Sequence, residues 1–318
     1  MGPHMFVEVN QALERIRATG WLNSSEWPTS AQISPADVDL SEAEGRLFRA
    51  TPADEMDVER LDGLARLAGL ELAIEHYPVI DSTNRLLMQR MQAEPTGNLL
   101  VVCDYQRAGR GRRGRQWISP YARSLAFSYA HASSKALHEF GGLSCVVGLA
   151  VLDVLIDLGV EGARLKWPND VWIQGSKLAG ILVELANRGS STIAVIGLGM
   201  NIALTPEERA AVDQPIADLL SRGVAVDRNS LLMAFVEKMA SYLRHFEHSG
   251  FEAFRSAFDA VHLLHRRDVV VHSAIEGKSL LTHGSVEGVG GSGQLLIRTS
   301  RGLEEMLGGE VSLRPADY

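Results

Sequence analysis

The sequence Gln106-Arg107-Ala108-Gly109-Arg110-Gly111-Arg112-Arg113-Gly114-Arg115-Gln116-Trp117 contains three glycines and five arginines. It follows the apolar run 99–103, which has the composition of a strand, and it precedes Pro120, where a helix is not expected to begin. Glycines let main-chain N–H groups approach a ligand, and guanidinium groups match the oxygens of phosphates and carboxylates. We therefore predict a loop that clamps an anion and becomes ordered on binding it.

The composition of this loop allows two other interpretations. A solvated basic turn is the simpler one, but Gln106 and Trp117 at the two ends favour a small organic ligand. The spacing also matches the dinucleotide fingerprint G-x-G-x-x-G, which requires a helix to begin at its last glycine. Here Pro120 and a second strand-like run at 124–129 follow instead, so a Rossmann site is not expected.

The composition is that of an ordinary globular protein. The chain has 318 residues, is 46% hydrophobic and 22% charged, and carries a net charge of −8. Net negative charge argues against a general affinity for nucleic acid or membranes, so the arginine loop is a local exception. Cys103 and Cys145 lie in apolar runs, no signal peptide is evident, and a cytoplasmic location is expected. Residues 1–4 resemble a cloning remnant.

The chain from residue 67 onward shows clear periodicity. It predicts a strand from Leu70 to His76, a helix after the capping cluster 81–84, and a buried helix from Leu137 to Leu158. A hairpin at 171–185, a strand at 192–202 and an amphipathic helix from Arg228 to Ser249 are also predicted. From residue 268 the pattern changes to short strands, which indicates a small β-barrel of about 50 residues.

Four histidines in or after the helix predicted from Arg228 to Ser249 are candidate metal ligands. They are His245, His248, His262 and His265, and their spacing is not that of a metal site. His76 is similarly interpreted as a strand histidine with a structural partner.

Six motifs occur in the order found in the biotin–protein ligases, and together they make the chain resemble that family over about residues 67–318. They are Asp81-Ser82-Thr83-Asn84, the Gly109–Trp117 loop, Lys166-Trp167-Pro168-Asn169-Asp170, Lys177–Glu184, Gly197–Asn201 and Gly308–Arg314. The resemblance implies an α+β fold: a mixed sheet with helices, related to class II aminoacyl-tRNA synthetases, followed by an SH3-like barrel. The implied domains are an N-terminal winged-helix remnant at 5–66, a catalytic domain at 67–265 and the barrel at 266–318.

The resemblance also implies an activity. Biotin and ATP, with Mg²⁺, would form biotinyl-5'-AMP, and a lysine of the biotin carboxyl carrier protein of acetyl-CoA carboxylase would then accept the biotinyl group. Relatives often dimerise, so a homodimer is a further expectation. The implied catalytic residues are Arg112, Lys177 and Asp170. The resemblance leaves open whether Asp170 serves the adenylate, its metal ion or the incoming lysine, so Asp170 is also the candidate metal ligand.

Two sets of binding residues follow from the same resemblance. Biotin would contact Ser82, Thr83, Asn84, Gln106, Gly109, Arg110, Arg112, Trp117, Lys177 and Gly180. The nucleotide would contact Arg110, Arg112, Arg115, Asn169, Lys177, Gly199, Asn201, Arg228 and Arg314.

Two departures from the family pattern stand out. Ile216 occupies a position where some bacterial relatives carry an aromatic residue over the adenine, so weaker enclosure of the nucleotide is expected. Residues 5–66 carry 12 Asp or Glu and 6 Lys or Arg, and Val9–Thr19 resembles the end of a recognition helix without the helices that should precede it. A degenerate winged helix without operator binding is therefore expected. The alternatives are a biotin-responsive DNA-binding repressor and a lipoate or octanoate ligase on the same scaffold.

Overall fold

The computed structural model describes residues 6–29, 32–49, 53–93, 98–188, 191–275, 278–307 and 311–315. Its centre is a seven-stranded mixed sheet in the order β4-β5-β6-β10-β9-β8-β7. Strands β4 and β5 are parallel, and every other neighbouring pair in this sheet is antiparallel. The strands are β4 (Ala73–Ile80), β5 (Leu99–Gln106), β6 (Ser124–Ser133), β7 (Ala163–Lys166), β8 (Asp170–Ile173), β9 (Ser176–Arg188) and β10 (Ser191–Asn201).

Helices cover both faces of this sheet because its central strands are apolar on both sides. On β5, Val101 and Cys103 face the core shared with α3 (Thr83–Ala93), whereas Leu100 and Val102 face the larger core. This alternation is that of a buried strand. The larger core also contains α4 (Leu143–Asp157) and α6 (Arg228–Ser249). α3 and the other two helices therefore lie on opposite faces.

Helix α4 explains the most apolar part of the sequence. The segment Leu137–Asp157 has the length and composition of a membrane span, but 67% of its most apolar window is buried inside the protein. The predicted single helix from Leu137 to Leu158 is divided: a 3₁₀ turn at Leu137–Phe140 is followed by Gly142 at φ 75°, after which α4 begins. The helix packs against α6 and the sheet, so its composition reflects burial within the fold.

The N-terminal segment forms a helix followed by a small antiparallel sheet. α1 (Val7–Thr19) precedes β1 (Trp21–Asn23), β2 (Ser41–Ala43) and β3 (Arg46–Phe48), in the order β1-β3-β2. Between residues 21 and 39 the described chain forms one strand, β1, and two 3₁₀ turns. The Asn10 side chain donates to Val79 O at 3.2 Å and accepts from Val79 N at 2.9 Å, which attaches α1 to the end of β4.

The next helix, α2 (Val58–Leu67), packs on α6 and β4. It contributes Leu61 and Ala65 to the larger core. We therefore propose that the domain built on the mixed sheet begins before α2, at about Met56, which belongs to the larger core, rather than at residue 67.

The C-terminal region is a five-stranded antiparallel sheet in the order β14-β13-β12-β11-β15, as expected for a small barrel. Its strands are β11 (Asp268–Ile275), β12 (Lys278–Val289), β13 (Leu295–Thr299), β14 (Gly302–Met306) and β15 (Val311–Pro315). The short helix α7 (Arg255–Val261) precedes it. Trp167 Nε1 donates to Gly293 O at 3.0 Å, which ties the barrel to the segment before β8. The mixed sheet and the separate small sheet confirm the predicted fold class.

Candidate active site

The floor of the site is formed by two glycines on neighbouring strands, Gly199 and Gly180, which we call the glycine row. Strand register places Gly199 beside Gly180, and Gly180 beside Asp170. Trp117 lies on this row: a Cβ on Gly199 would stand 2.5 Å from Trp117 Cε2, and one on Gly180 would stand 3.5 Å from Trp117 Cζ3. Close approach of the indole ring therefore requires a glycine at position 199, whereas a Cβ at position 180 would make an ordinary van der Waals contact with the ring.

A buried polar network lies at the start of α3. Gln106 Oε1 accepts from Thr83 N at 2.9 Å, and Ser128 Oγ lies 2.8 Å from Thr83 Oγ1 and 2.6 Å from Asn84 Oδ1. Asn84 Nδ2 donates to Glu184 Oε2 at 2.9 Å. This chain of hydrogen bonds fixes the orientation of each side chain, so the network presents defined donors and acceptors to a ligand.

The arginine loop is closed on itself by main-chain hydrogen bonds. Trp117 N donates to Gly109 O at 2.9 Å and Gly111 N donates to Arg115 O at 2.7 Å. A Cβ on Gly109 would collide with Trp117 O, so this glycine permits the closure.

Three of the loop arginines have polar partners elsewhere in the protein. Arg107 Nε donates to Asp81 Oδ1 at 2.9 Å, Arg110 pairs with Glu184 at 3.3 Å, and Arg112 donates to Asn169 Oδ1 at 3.1 Å. These contacts offset part of the repulsion among the guanidinium groups.

Lys177 and Asp170 form the charged centre of the cavity. Lys177 Nζ lies 2.8 Å from Asp170 Oδ1 and 5.6 Å from the centre of the Trp117 ring. Among the described residues this buried oxygen has no aligned hydrogen-bond donor, so its contact with Lys177 is an ion pair rather than a directed hydrogen bond. This oxygen can accept a further donor or a cation.

Arg112 is the loop cation that lies deepest in the site. Desolvation lowers the pKa of its guanidinium below the ordinary value, and Asp170 opposes the shift. A guanidinium remains charged at neutral pH even when its pKa falls, so Arg112 supplies a weakly solvated positive charge. Such a charge interacts more strongly with an anion than one in bulk water.

The structure brings most of the predicted site residues to one cavity of about 170 Å³. Those that line it are Ser82, Thr83, Asn84, Gln106, Arg110, Arg112, Arg115, Trp117, Asn169, Asp170, Lys177, Gly180 and Gly199.

Four predicted residues do not line this cavity. Arg228 is fully buried, pairs with Asp104 at 2.9 Å and donates to Asp54 O, so it has no surface to offer a nucleotide. Asn201 is 4% exposed and donates to Ala217 O at 2.9 Å, which fixes the segment that pairs with Lys177. Gly109 closes the loop, as described above. For Arg314 the structure describes only the backbone, paired with Val270, and the motif residues 308–310 lie outside the described residues.

Two residues of the polar network are absent from the predicted set: Ser128, which lines the cavity, and Glu184, which lies behind it. Ser128 joins Thr83 to Asn84, and Glu184 joins Asn84 to Arg110. Ser128 lies opposite Gly197 in the strand register. A Cβ on that glycine would meet Asn84, and the glycine was the one sequence signal for this part of the sheet.

His76, as expected, has a structural partner: its Nε2 lies 2.7 Å from Asp104 Oδ2.

Comparisons with known proteins agree with this site. Residues 76–201 match the model of the biotin/lipoate A/B protein ligase family. The chain is 36% identical over 255 residues to the bifunctional ligase/repressor BirA of Escherichia coli, covering 80% of this chain and 77% of that protein. It is 31% identical over 237 residues to the biotin–[acetyl-CoA-carboxylase] ligase of Paracoccus denitrificans, covering 73% and 96% of the two chains.

Solved structures give the same result. The biotin protein ligase of Aquifex aeolicus in complex with biotin and ATP superposes with a TM-score of 0.63 at 27% identity, covering 77% of this chain and 99% of that one. Fold and site together define a ligase of the class that modifies proteins with a carboxylic-acid cofactor. Within that class, the chain belongs to the biotin–protein ligase family, and the predicted enzyme class is confirmed.

Proposed function

We propose that this ligase makes biotinyl-5'-AMP from biotin and ATP and transfers the biotinyl group to a lysine of a biotin carboxyl carrier protein. The observation that carries the proposal is the position of Trp117, which packs on Gly199 and Gly180 and within 5.6 Å of the Lys177 ammonium. One cavity thus holds an apolar surface, a polar network and a cluster of cations.

The polar network suits the ureido group of biotin. That group carries two N–H donors and one carbonyl acceptor, which must find partners when they are buried. The cavity is lined by Ser82 and Thr83, which carry hydroxyl groups, and by Asn84 and Gln106, which carry amide groups. Trp117 then covers the apolar rings of the vitamin.

The cationic side suits the reacting anions. Attack of the biotin carboxylate on the α-phosphorus brings two negative groups together, and pyrophosphate leaves as the bond to the β-phosphate breaks. Lys177, Arg112 and Arg110 lie where they can neutralise this charge, and Arg115 lies at the exposed edge of the cavity. Fixed cations of this kind stabilise the transition state without reorganisation.

Asp170 fits the metal that ATP chemistry implies. Mg²⁺ takes oxygen ligands and is held mainly by phosphates and water with one or two carboxylates. Asp170 has a buried oxygen without an aligned donor, and it is the carboxylate that lines the cavity among the described residues. When bound, the metal would neutralise phosphate charge; the same carboxylate can also orient an incoming lysine amine.

Transfer requires the mixed anhydride to survive until the acceptor arrives. The lysine amine attacks the acyl carbon and AMP leaves. Loop residues 109–117 and the Trp117 ring would hold the adenylate against the glycine row and keep water away from it. The half-buried Ile216, in the segment that pairs with Lys177, would lie near the adenine.

The test is turnover with defined substrates. The protein, biotin, ATP and Mg²⁺ should release pyrophosphate, and a carrier domain of acetyl-CoA carboxylase should gain one biotinyl group. A carrier with its acceptor lysine changed to arginine is the matched control and should stay unlabelled. No transfer to the intact carrier would remove the proposal.

A lipoate or octanoate ligase remains the alternative on this scaffold, because the matched family model includes both kinds of enzyme. The polar network around Ser128 favours biotin, because a linear acyl chain has no ureido group to form hydrogen bonds with that network. Calorimetric titration should show biotin binding at least about 100-fold tighter than octanoate. Equal affinities would favour the alternative.

We further propose that the N-terminal segment does not bind operator DNA. The exposed arginines of α1 are paired: Arg15 with Glu26 at 3.2 Å and Arg17 with Glu55 at 3.7 Å. Glu8 and Glu14 occupy the same exposed surface, and DNA affinity depends on cations available to phosphates. A salt-sensitive gel shift on biotin-operon promoter DNA with biotinyl-5'-AMP would contradict this proposal.

A further inference from the structure

A second polar pocket lies where the catalytic domain joins the barrel. Its wall includes Arg164 of β7 and Asp259 of α7. It also includes His262, His265 and Arg267, which belong to the segment that connects α7 to β11. Main-chain hydrogen bonds hold this segment on both sides. Leu263 N donates to Leu165 O at 2.7 Å, and Val286 N donates to Arg267 O at 3.0 Å. The pocket therefore has a defined backbone frame.

His262 is the unusual residue of this pocket. Its side chain is buried, at 5% exposure, and neither ring nitrogen has a hydrogen-bond partner among the residues that the structure describes. Its ring stacks on Phe258 with 5.3 Å between the centroids, so packing alone fixes its orientation. Buried polar groups in proteins are almost always paired, and an orphaned imidazole indicates that a partner is missing. His262 lines the pocket but both of its ring nitrogens are closed to solvent, so a group entering the pocket supplies this partner only when the ring or its neighbours shift.

The charges around the pocket favour an anion as this partner. Arg164 and Arg267 are exposed, and within the described part of the chain neither lies within 4.0 Å of a carboxylate. Asp259 is the opposing charge; its Oδ1 accepts from Val289 N at 3.0 Å and lies 4.0 Å from His265 Nδ1. Two guanidinium groups thus face one carboxylate. The described residues contain no group of three His, Cys, Asp or Glu placed to hold a metal ion.

A phosphate group satisfies both requirements of the pocket. Its oxygens accept from guanidinium donors in a two-pronged geometry. A neutral imidazole has one N–H donor and one acceptor nitrogen, and monohydrogen phosphate has both acceptor oxygens and a proton to donate. Burial lowers the pKa of His262 to about 3, which keeps the imidazole neutral in the empty pocket. Sulfate, which is fully ionised at neutral pH, lacks the proton that the acceptor nitrogen needs.

We propose that the pocket formed by Arg164, His262, His265 and Arg267 is a binding site for a phosphate group. This site is separate from the proposed biotin and ATP cavity, and the inference does not depend on the proposed function. Three sources share this chemistry: inorganic phosphate, pyrophosphate and a nucleoside monophosphate.

Calorimetric titration of the full-length protein tests the proposal, with inorganic phosphate, pyrophosphate and AMP as separate ligands and chloride holding the ionic strength constant. Saturable binding of phosphate is expected, with sulfate several-fold weaker. Arg267→Gln and Arg164→Gln should each weaken phosphate binding by about tenfold or more, because each removes a charge-assisted hydrogen bond. AMP binding that persists in these variants would belong to the catalytic cavity.

Arg266→Gln is the matched control. Arg266 is exposed and adjacent to Arg267 but does not line the pocket, so its replacement should leave phosphate binding unchanged. His262→Phe, which preserves the stacking on Phe258, should weaken binding without loss of folding. No saturable phosphate binding, or equal weakening by Arg266→Gln and Arg267→Gln, would overturn the proposal.

Discussion

Gly199 lies directly against the Trp117 indole, so that a methyl group on this glycine would stand 2.5 Å from Trp117 Cε2. The tryptophan comes from the arginine loop and the glycine from the middle of the sheet. Their contact therefore sets the height of the loop above the floor of the cavity.

Replacement of Gly199 by alanine should push the indole away from the sheet. We expect Gly199→Ala to weaken biotin binding by about tenfold or more, since the displaced ring no longer covers the vitamin. Biotin titration by calorimetry measures the effect. Gly63→Ala is the matched control, because Gly63 lies within α2 with no atom within 4 Å of its Cβ position. Similar losses in both variants would contradict the role assigned to Gly199.

The polar network should depend on Ser128. Ser128→Ala leaves Thr83 and Asn84 without their shared partner, and such a loss costs about 1 kcal/mol, so the KM for biotin should rise about fivefold with kcat little changed. Steady-state kinetics with varied biotin give both constants. Ser133→Ala on the same strand, whose hydroxyl bonds Glu247 instead, should leave the KM unaltered. A change in kcat alone would show that the network does not orient biotin.

Lys177 should contribute mainly to adenylate formation. Lys177→Met removes the cation nearest Asp170 while keeping the length of the side chain, and pyrophosphate release should slow by about 100-fold or more. Single-turnover pyrophosphate release is the measurement. Lys135→Met removes a lysine that pairs with Glu139 outside the cavity, and it should retain the normal rate. A normal rate in Lys177→Met would remove this lysine from the catalytic residues.

Arg112 should hold the adenylate in place. Its desolvated guanidinium loses least to competition with water, so we expect Arg112→Gly to release biotinyl-5'-AMP at least about tenfold faster and to label bystander proteins unselectively. The dissociation rate of labelled adenylate and the biotinylation of an added unrelated protein report the two effects. Arg266→Gly is the control: Arg266 does not line the cavity and is exposed at φ 56°, a conformation that glycine adopts without strain. Retained adenylate and strict carrier selectivity in Arg112→Gly would contradict the clamp.

His262 should make the stability of the protein depend on pH. Burial, with a smaller contribution from His265, lowers the pKa of His262 from 6.5 to about 3. Between these values the unfolded chain binds more protons than the folded one, so the free energy of unfolding falls as the pH falls. From pH about 7 to about 5 the loss should be about 2 kcal/mol for wild type and absent from His262→Phe. Urea unfolding in phosphate-free buffer measures it.

The exposed His138 provides the control for that experiment. His138→Phe should keep the pH dependence of the wild-type protein. If His262→Phe kept it as well, the buried imidazole would not be its source.

The local pattern of apolar residues was sufficient to predict the elements in which those residues recur with one clear period. Helix α6 spans Arg228–Ser249, as predicted, because its apolar residues recur at helical spacing and Asp227 accepts from Ser230 N at its start. The N-terminal segment was harder to predict. Its strands have three residues each, and their partners were not identifiable from alternation over so short a distance.

The direction of a side chain is what the local sequence could not indicate for two of the predicted nucleotide contacts, Asn201 and Arg228. Asn201 follows Gly199 by two residues and was assigned to the nucleotide, but its amide is used to hold Ala217. Arg228 was assigned to the same ligand, but its partner Asp104 lies 124 residues earlier in the chain. Nothing in the local sequence of either residue indicates that its donors are already occupied.

The sequence by itself determined which chemical groups this protein has and in what order: the glycine-rich arginine loop, the Lys166–Asp170 segment and Lys177. Only the tertiary structure decided which of them meet, because contacts such as that between Trp117 and Gly199 join a loop to a strand that is distant in the chain. Strand register and packing select those contacts, and both depend on the whole sheet rather than on any one segment.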